Sequence, residues 1–257
     1  MIPEGTKIDI ITRVQSGQSI RHVAQDLGIP LSTAYHHGRS FCNHQSRIEM
    51  NMLRQGQLGY LLGMFVGDGS LIRDKPRGEF LVKIALNRRR DLDIVQFVTL
   101  MFEKAGKKVN FLTERGMIII RVWSKIFYEF IEDYVKLERN HLSHHHTKIL
   151  LRTQRWTREF ALGFIGGLID SDGHVVSNWK GGHYGAVVTT SSSSLKRQLC
   201  SLCDALGINV TSHVQARDPF QGKSLYSVYI RSPDLHALCG TLLSVKHSRF
   251  HGGPGRI

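Results

Sequence analysis

The stretch Leu61-Leu62-Gly63-Met64-Phe65-Val66-Gly67-Asp68-Gly69 has a counterpart in Ile165-Gly166-Gly167-Leu168-Ile169-Asp170-Ser171-Asp172-Gly173. Each is an apolar, helix-like run with small residues four apart, closed by an Asp-Gly pair. At that spacing Gly59, Gly63 and Gly67 share one helix face, and Gly163 and Gly167 share another. Small residues placed this way let two helix backbones approach closely. Two such helices packed together would bring Asp68 and Asp172 into one place, although 104 residues separate them. Carboxylates forced together repel each other in a core, and they suit a divalent cation.

Outward from each stretch the same order of elements follows. After the first, strands are predicted over Ser70 to Arg73 and Glu79 to Asn87, and a helix over Asp91 to Ala105 with Ile94, Phe97, Val98, Met101 and Phe102 at helical spacing. A hairpin turns at Glu114-Arg115-Gly116, and a helix runs from Lys125 to about Lys136. After the second, strands His174 to Trp179 and Tyr184 to Ser191 precede helix Ser194 to Leu206. Strands Asn209 to Ala216 and Leu225 to Arg231 follow, then helix Pro233 to Leu243. Two helix–hairpin–helix–hairpin–helix units laid end to end make an internal repeat with a period of about 104 residues. The chain therefore divides into 57–136 and 156–250 as the two repeats, with 137–155 as a basic, histidine-rich linker and 251–257 as a tail.

Residues 1–39 read as a small helical unit, joined to the repeats by a polar linker over 40–56. Lys7 to Gln15 forms a helix that Gly17 stops. Ser19 caps a second helix, Ile20 to Leu27, and Gly28-Ile29-Pro30 turns into a third. Ala24 four residues before Gly28, with Ile29 and Ala34 beyond it, resembles a helix-turn-helix DNA-binding motif. That resemblance implies that Leu31, Ser32, Thr33, Tyr35, His36 and Arg39 face the major groove.

Lys plus Arg number 34 against 21 for Asp plus Glu, a net charge of +13 spread along the 257 residues. An extended basic surface of this kind suits nucleic acid. No apolar run reaches the roughly 18 residues a membrane span needs, and the N-terminal residues lack a secretory core. Cys42, Cys200, Cys203 and Cys239 are too few for a disulfide scaffold, and the Cys200/Cys203 pair has no second pair to complete a zinc site. Reduced thiols and a cytoplasmic location, or the DNA-containing compartment of an organelle, are expected.

With both Asp-Gly stretches and the repeat behind each of them, the sequence resembles the LAGLIDADG homing endonucleases of the single-chain, two-motif kind. The resemblance covers Gln57 to Phe250, about three quarters of the chain. The second motif keeps Gly167, Leu168, Ile169, Asp170, Asp172 and Gly173, with Ile165 a conservative match. The first is looser and keeps Leu61, Gly63, Asp68 and Gly69, with Val66 where the family often has Asp. The resemblance implies an α+β fold of two pseudo-symmetric αββαββα repeats forming a DNA-binding saddle. It implies that Asp68 and Asp172 hold Mg²⁺ (Mn²⁺ able to substitute), with the carbonyls of Gly67 and Ser171 as further ligands. Each site would then cut one strand of double-stranded DNA by hydrolysis, leaving short 3′ overhangs. The family also places basic and polar residues around the metals, for which Lys136, Lys246, Asn87 and Ser191 are the candidates here.

For DNA contact, Asn209, Thr211, His213, Gln215 and Arg217 alternate with smaller or apolar residues, as do Ser227, Tyr229 and Arg231. The candidates in the second repeat are Asn178, Lys180, His213, Gln215, Arg217, Lys223, Tyr229 and Arg231. In the first they are Arg73, Lys75, Arg77, Lys83, Arg88, Lys108, Arg115 and Arg121. Three adjacent histidines, His144 to His146, cannot converge on one ion from a regular helix or strand, so they are assigned to phosphate or solvent. Trp123, Trp156 and Trp179 are assigned to packing.

The expected protein is a monomeric, site-specific DNA endonuclease. It reads as a free-standing or intron-borne frame, because an intein would show a nucleophile at its start and His-Asn at its end. The alternatives are a transcription regulator on the same scaffold and an intron RNA maturase, whose partner would be RNA.

Overall fold

The computed structural model describes residues 2–16, 18–39, 52–74, 78–139, 146–152, 156–178, 183–215, 224–231, 234 and 244–246. The chain forms two units, Met1–Leu53 with Lys104–Gly106, and Arg54–Glu103 with Lys107–Ile257. The expected stop at Gly17, residues 40–51 of the expected linker, the helix from Pro233 (Asp234 apart) and the tail lie outside the described residues.

In the first unit the described residues form α1 (Glu4–Gln15), α2 (Ile20–Asp26) and a helical stretch α3 over 31–39. Ser19 Oγ accepts the His22 amide at 3.2 Å, satisfying one of the free N–H groups at the start of α2. Gly28, at φ +60°, makes the turn into α3 in a conformation that side-chain-bearing residues avoid. Ile10, Val14, Ile20, Val23, Ala24 and Ala34 close a core of their own.

The second unit is built on α4 (Gln55–Asp68) and α7 (Arg158–Asp170). Helix α4 begins two residues before the predicted Gln57, where the Gln57 side-chain oxygen accepts the Arg54 amide at 3.0 Å. Thr157 caps α7 through the Phe160 amide at 3.2 Å. Each motif helix runs into a four-stranded antiparallel sheet. The first contains β1 (Gly69–Asp74), β2 (Glu79–Asn87), β3 (Asn110–Glu114) and β4 (Met117–Trp123) in the order β1-β2-β4-β3. The second contains β7 (Gly173–Asn178), β8 (His183–Thr190), β9 (Val210–Gln215) and β10 (Leu225–Ile230) in the order β7-β8-β10-β9. Helices α5 (Leu92–Lys104), α6 (Lys125–Tyr134) and α8 (Ser193–Ala205) complete the repeats.

The strand register sorts each sheet into two faces. On one, Val82, Ile84, Leu86, Ile120 and Val122 are buried, and so are Ala186, Val188, Val228 and Ile230 in the second sheet. On the other lie Lys83, Ala85, Ile119, Arg121 and Trp123, with Thr211, His213, Ser227 and Tyr229 in the second. The β3–β4 hairpin turns through Arg115 (φ 49°) and Gly116 (φ 80°), a pair of left-handed residues that matches the twist of the strands.

Between the repeats the structure departs from the predicted linker. Helix α6 stops at Tyr134, so Lys136 sits in a strand and not at a helix end. Strands β5 (Val135–Arg139) and β6 (His146–Leu151) pair as an antiparallel hairpin. Gln198 of α8 supplies the reason: its Oε1 accepts the Leu151 amide at 2.9 Å and its Nε2 donates to the Leu151 carbonyl at 2.8 Å. Ser192 Oγ also accepts the Ile149 amide at 3.1 Å, so the outer edge of β6 is paired by side chains as if by a strand. Trp156 packs with Tyr134, Phe160 and Phe164, as its assignment to packing predicts.

The α4–α7 contact leaves no room for side chains. A Cβ on Gly63 would run into the Phe164 carbonyl and lie 3.0 Å from the Gly167 Cα, and one on Gly167 would meet the Tyr60 carbonyl and the Met64 nitrogen. Gly59 and Gly163 face the Phe160 and Gly56 carbonyls just as closely. Gly167→Ala is therefore expected to cost at least about 3 kcal/mol, at the upper end of overpacking because the obstacle is backbone. Gly5→Ala, in α1 with nothing within 4 Å of the new atom, is expected to be neutral or stabilising by up to ~1 kcal/mol. Thermal or denaturant unfolding of the two variants checks the contrast.

Candidate active site

Asp68 ends α4 and Asp172 follows α7 by two residues, so the backbone contact between the helices decides where both carboxylates go. The ends meet: a Cβ at Gly67 would lie 3.2 Å from the Asp172 carboxyl carbon and 2.5 Å from the Ser171 Cβ. The Ser171 hydroxyl bonds to the Gly167 carbonyl at 2.9 Å and to the Gly63 carbonyl of the other helix at 3.5 Å.

Burial and the neighbouring Asp172 charge push the Asp68 carboxyl up to about 7, with Asp91 adding to the effect and Lys246 opposing it. Asp172 keeps a side open to solvent, yet protein crowding the rest of the group pushes it to about 6 against the pull of Lys246. Both groups thus keep their protons to a higher pH than a free carboxyl does, and an added positive charge would favour their ionised forms. Among the described residues no three His, Cys, Asp or Glu side chains gather into a closed metal cage. Two carboxylates with nearby carbonyls are instead an open oxygen donor set, which suits a hard cation whose remaining positions go to phosphate and water. Asp68 and Asp172, with the carbonyls of Gly67 and Ser171 beside them, fit a divalent cation on that ground.

Lys246 lies at this site. Its Nζ donates to the Gly173 carbonyl at 2.8 Å and to the Ser171 carbonyl at 3.4 Å. Lys136, its predicted counterpart, lies exposed in β5 opposite Leu150, and the charges that act on Asp68 are Asp172, Lys246 and Asp91. Asn87 has its side-chain oxygen engaged by the Arg89 and Arg90 amides at 2.9 and 3.1 Å, so it shapes the turn into α5. Ser191 lies in the turn between β8 and α8.

Asp170 is the residue whose importance the sequence concealed. It is 1% exposed, and its carboxylate accepts four hydrogen bonds. They come from Tyr60 Oη (2.7 Å), Ser244 Oγ (2.8 Å), Val245 N (2.6 Å) and Lys246 N (2.9 Å). Burial pushes this carboxyl up, and the four donors work against it. Nothing in a linear reading joins Tyr60 to Asp170, which lies 110 residues away; the one available signal was the contrast between Asp170 and Val66 at matching motif positions.

The DNA-contact candidates separate by face. Lys83 and Arg121 are register neighbours on the uncovered face of the first sheet, and the Arg121 guanidinium stacks over Trp123 at 4.5 Å. Arg73 is on the opposite, helix-covered face, with its guanidinium 5.2 Å from the Phe80 ring, so it packs there and does not line the groove face. Arg88, Lys108 and Arg115 are exposed in loops and turns. On the second sheet His213 is exposed opposite Ser227. Tyr229 lies across Gly185, where a Cβ would come 2.5 Å from its hydroxyl. By register Asn178 ends β7 opposite His183, Gln215 ends β9 opposite Leu225, and Arg231 follows β10. Lys75, Arg77, Lys180, Arg217 and Lys223 lie outside the described residues. In the first unit Ser32, Tyr35, His36 and Arg39 are exposed on α3 and Thr33 is half-buried, while Ala34 and Gly38 face the core.

Comparison with known proteins agrees with this geometry. Residues 159–241 match the LAGLIDADG-like domain. The homing endonuclease I-DmoI, solved in complex with DNA and Ca, matches with a TM-score of 0.52 at 18% identity, covering 77% of this chain and 98% of that one. The same enzyme with DNA and Mn matches with a TM-score of 0.51 at 20% identity over 74% of this chain and 97% of that one. No curated protein matches the sequence. The second repeat thus carries a LAGLIDADG-like domain, and the chain has the α+β fold of the LAGLIDADG homing endonucleases.

A folded-state carboxyl near 7, against 3.8 for a free one, holds its proton where the unfolded chain has lost it. The cation-free protein should therefore lose stability as pH rises from 3.8 to about 7, since the unfolded state binds fewer protons there. Thermal unfolding without divalent cation is expected to show a midpoint a few degrees higher at about pH 5 than at about pH 8. Asp68→Asn should flatten most of that slope.

Proposed function

We propose that this protein, built on the fold of the LAGLIDADG homing endonucleases, is a site-specific DNA endonuclease. It acts as a monomer, with Mg²⁺ or Mn²⁺, and leaves a double-strand break with short 3′ overhangs. The observation that carries the reading is the meeting of Asp68 and Asp172 at the ends of two backbone-packed helices. Each helix leads into a sheet with one uncovered, partly basic face.

In this reading Asp68 and Asp172 hold the divalent cations at the scissile phosphates. A cation bound there lowers the pKa of a water and offsets charge growing on the phosphorus oxygens. Lys246 adds a fixed positive charge at the same point, held by the Ser171 and Gly173 carbonyls. The uncovered sheet faces hold the duplex: Lys83, Arg121 and His213 carry hydrogen-bonding heads suited to phosphates or base edges, and Tyr229 offers a flat surface. The three-helix unit adds a second reading element through Ser32, Thr33, Tyr35, His36 and Arg39 on α3. Two sheets and an extra helix together suit a target of roughly 20 base pairs. Such an enzyme works where the DNA is, in the cytoplasm or an organelle's DNA compartment.

A DNA-binding regulator on the same scaffold is the second reading, and the three-helix unit is the feature that favours it. The two are separated by incubating the protein with the host DNA that flanks its gene, joined as it would be without the insertion. With Mg²⁺ the expected outcome is a linear product, reduced by at least about a hundredfold in Asp68→Asn and in Asp172→Asn, in line with removal of a group that stabilises developing charge. Tight binding with no cut in Mg²⁺ or Mn²⁺ would establish the regulator instead. Neither reading requires RNA binding, and stimulation of intron splicing by the protein would add the maturase role.

For the three-helix unit, Tyr35→Ala and Arg39→Ala should each weaken binding by about tenfold, a loss of ~1–3 kcal/mol for a base or phosphate contact. The single-turnover cleavage rate at saturating protein should stay unchanged. A binding titration paired with single-turnover kinetics reads both quantities.

A further inference from the structure

Asp170 has no place in the chemistry proposed above, yet it makes more hydrogen bonds than either site carboxylate. Its four donors come from two sources. Tyr60 reaches it from α4, in the first repeat, and the other three all belong to Ser244, Val245 and Lys246. Accepting two consecutive backbone amides and the preceding hydroxyl fixes both the position and the direction of that short segment. The segment then delivers the Lys246 ammonium to the carbonyls of Ser171 and Gly173, which flank Asp172. Its charge acts on both Asp172 and Asp68.

We infer that Asp170 is a positioning residue that latches the 244–246 segment to both motif helices and thereby holds one lysine, Lys246, over the paired carboxylates of both repeats. Val66 occupies the matching place in the first repeat and has no group with which to accept such bonds. The pseudo-symmetric enzyme is therefore served asymmetrically, with Lys246 shared by two sites. The inference rests on the endonuclease reading for its kinetic consequence, and on geometry alone for the placement of Lys246.

Two measurements test these separately, on the full chain. In a ¹⁵N-lysine spectrum the Lys246 ammonium, tethered by two carbonyls, should give a resolved signal with slowed exchange, identified by its absence in Lys246→Met. That signal should be lost in Asp170→Asn and in the milder Ser244→Ala while the remaining lysine signals stay in place. Its survival in Ser244→Ala and Asp170→Asn alike would overturn the latch, whether or not the protein cuts DNA. The second measurement follows each strand in single-turnover cleavage. Lys246→Met is expected to slow both strands by about ten- to a hundredfold, and Asp170→Asn or Ser244→Ala to slow both in the wild-type background but not further in Lys246→Met. Losses that add fully to that of Lys246→Met would show that Asp170 acts by another route. Wild-type protein that binds DNA and cuts neither strand would remove the endonuclease reading and leave the spectrum to decide the latch.

Discussion

Two helix backbones touch in this protein with almost nothing between them, and the rest of the second unit depends on that contact. Gly59 and Gly63 of α4 meet α7, and Gly163 and Gly167 of α7 meet α4, so closely that a single added carbon would collide with a carbonyl. Glycine costs helical stability, roughly 1 kcal/mol per residue against alanine, so a run of glycines in two central helices has to be offset by what it permits. It permits close approach, and burial of the large residues on either side: Tyr60, Phe65, Phe160 and Phe164 are essentially inaccessible. Both helices then end at one point.

What stands at that point works against stability. Burial raises the cost of ionising both Asp68 and Asp172, the Asp172 charge adds to it at Asp68, and a fold selected for stability alone would have little reason to keep them. Their company explains the cost better than their packing does: open oxygen donors, a lysine held by carbonyls, and two sheets whose uncovered faces carry Lys83, Arg121 and His213. Strain of this kind is typical where a site waits for a charged ligand. Asp170 shows the opposite arrangement a few atoms away. Its charge is satisfied from four directions, and it ties the two repeats and the 244–246 segment into one piece.

The repeat and its sheets were legible because they rest on local rules. Alternation with period two marked the strands, helical spacing marked α5, and Ser19, Gly28 and the Arg115-Gly116 turn carried their own stereochemistry. The matched Asp-Gly endings located the carboxylate pair. What stayed hidden depends on partners distant in sequence. The β5–β6 hairpin looked like a linker because its edge is completed by Gln198, 47 residues from Leu151. Lys136 was expected at a helix end because the letters around it match those around Lys246, but α6 stops at Tyr134 and β5 carries it. Arg73 seemed one more groove-facing cation, whereas strand register turns it towards Phe80. The latch at Asp170 was invisible because a carboxylate's donors cannot be read from its neighbours in the chain.

The proposed chemistry depends on whether the paired carboxylates hold a divalent cation. Fe²⁺ substitutes for Mg²⁺ at oxygen sites, and with ascorbate and peroxide it cuts the polypeptide next to where it is bound. Mapping those cuts needs no knowledge of the DNA target. The expected scission is confined to the backbone around Gly67–Gly69 and Ser171–Gly173, suppressed by excess Mg²⁺ and absent in the Asp68→Asn, Asp172→Asn double variant. Scission centred elsewhere, at the His144–His146 run for example, or unchanged in the double variant, would contradict it.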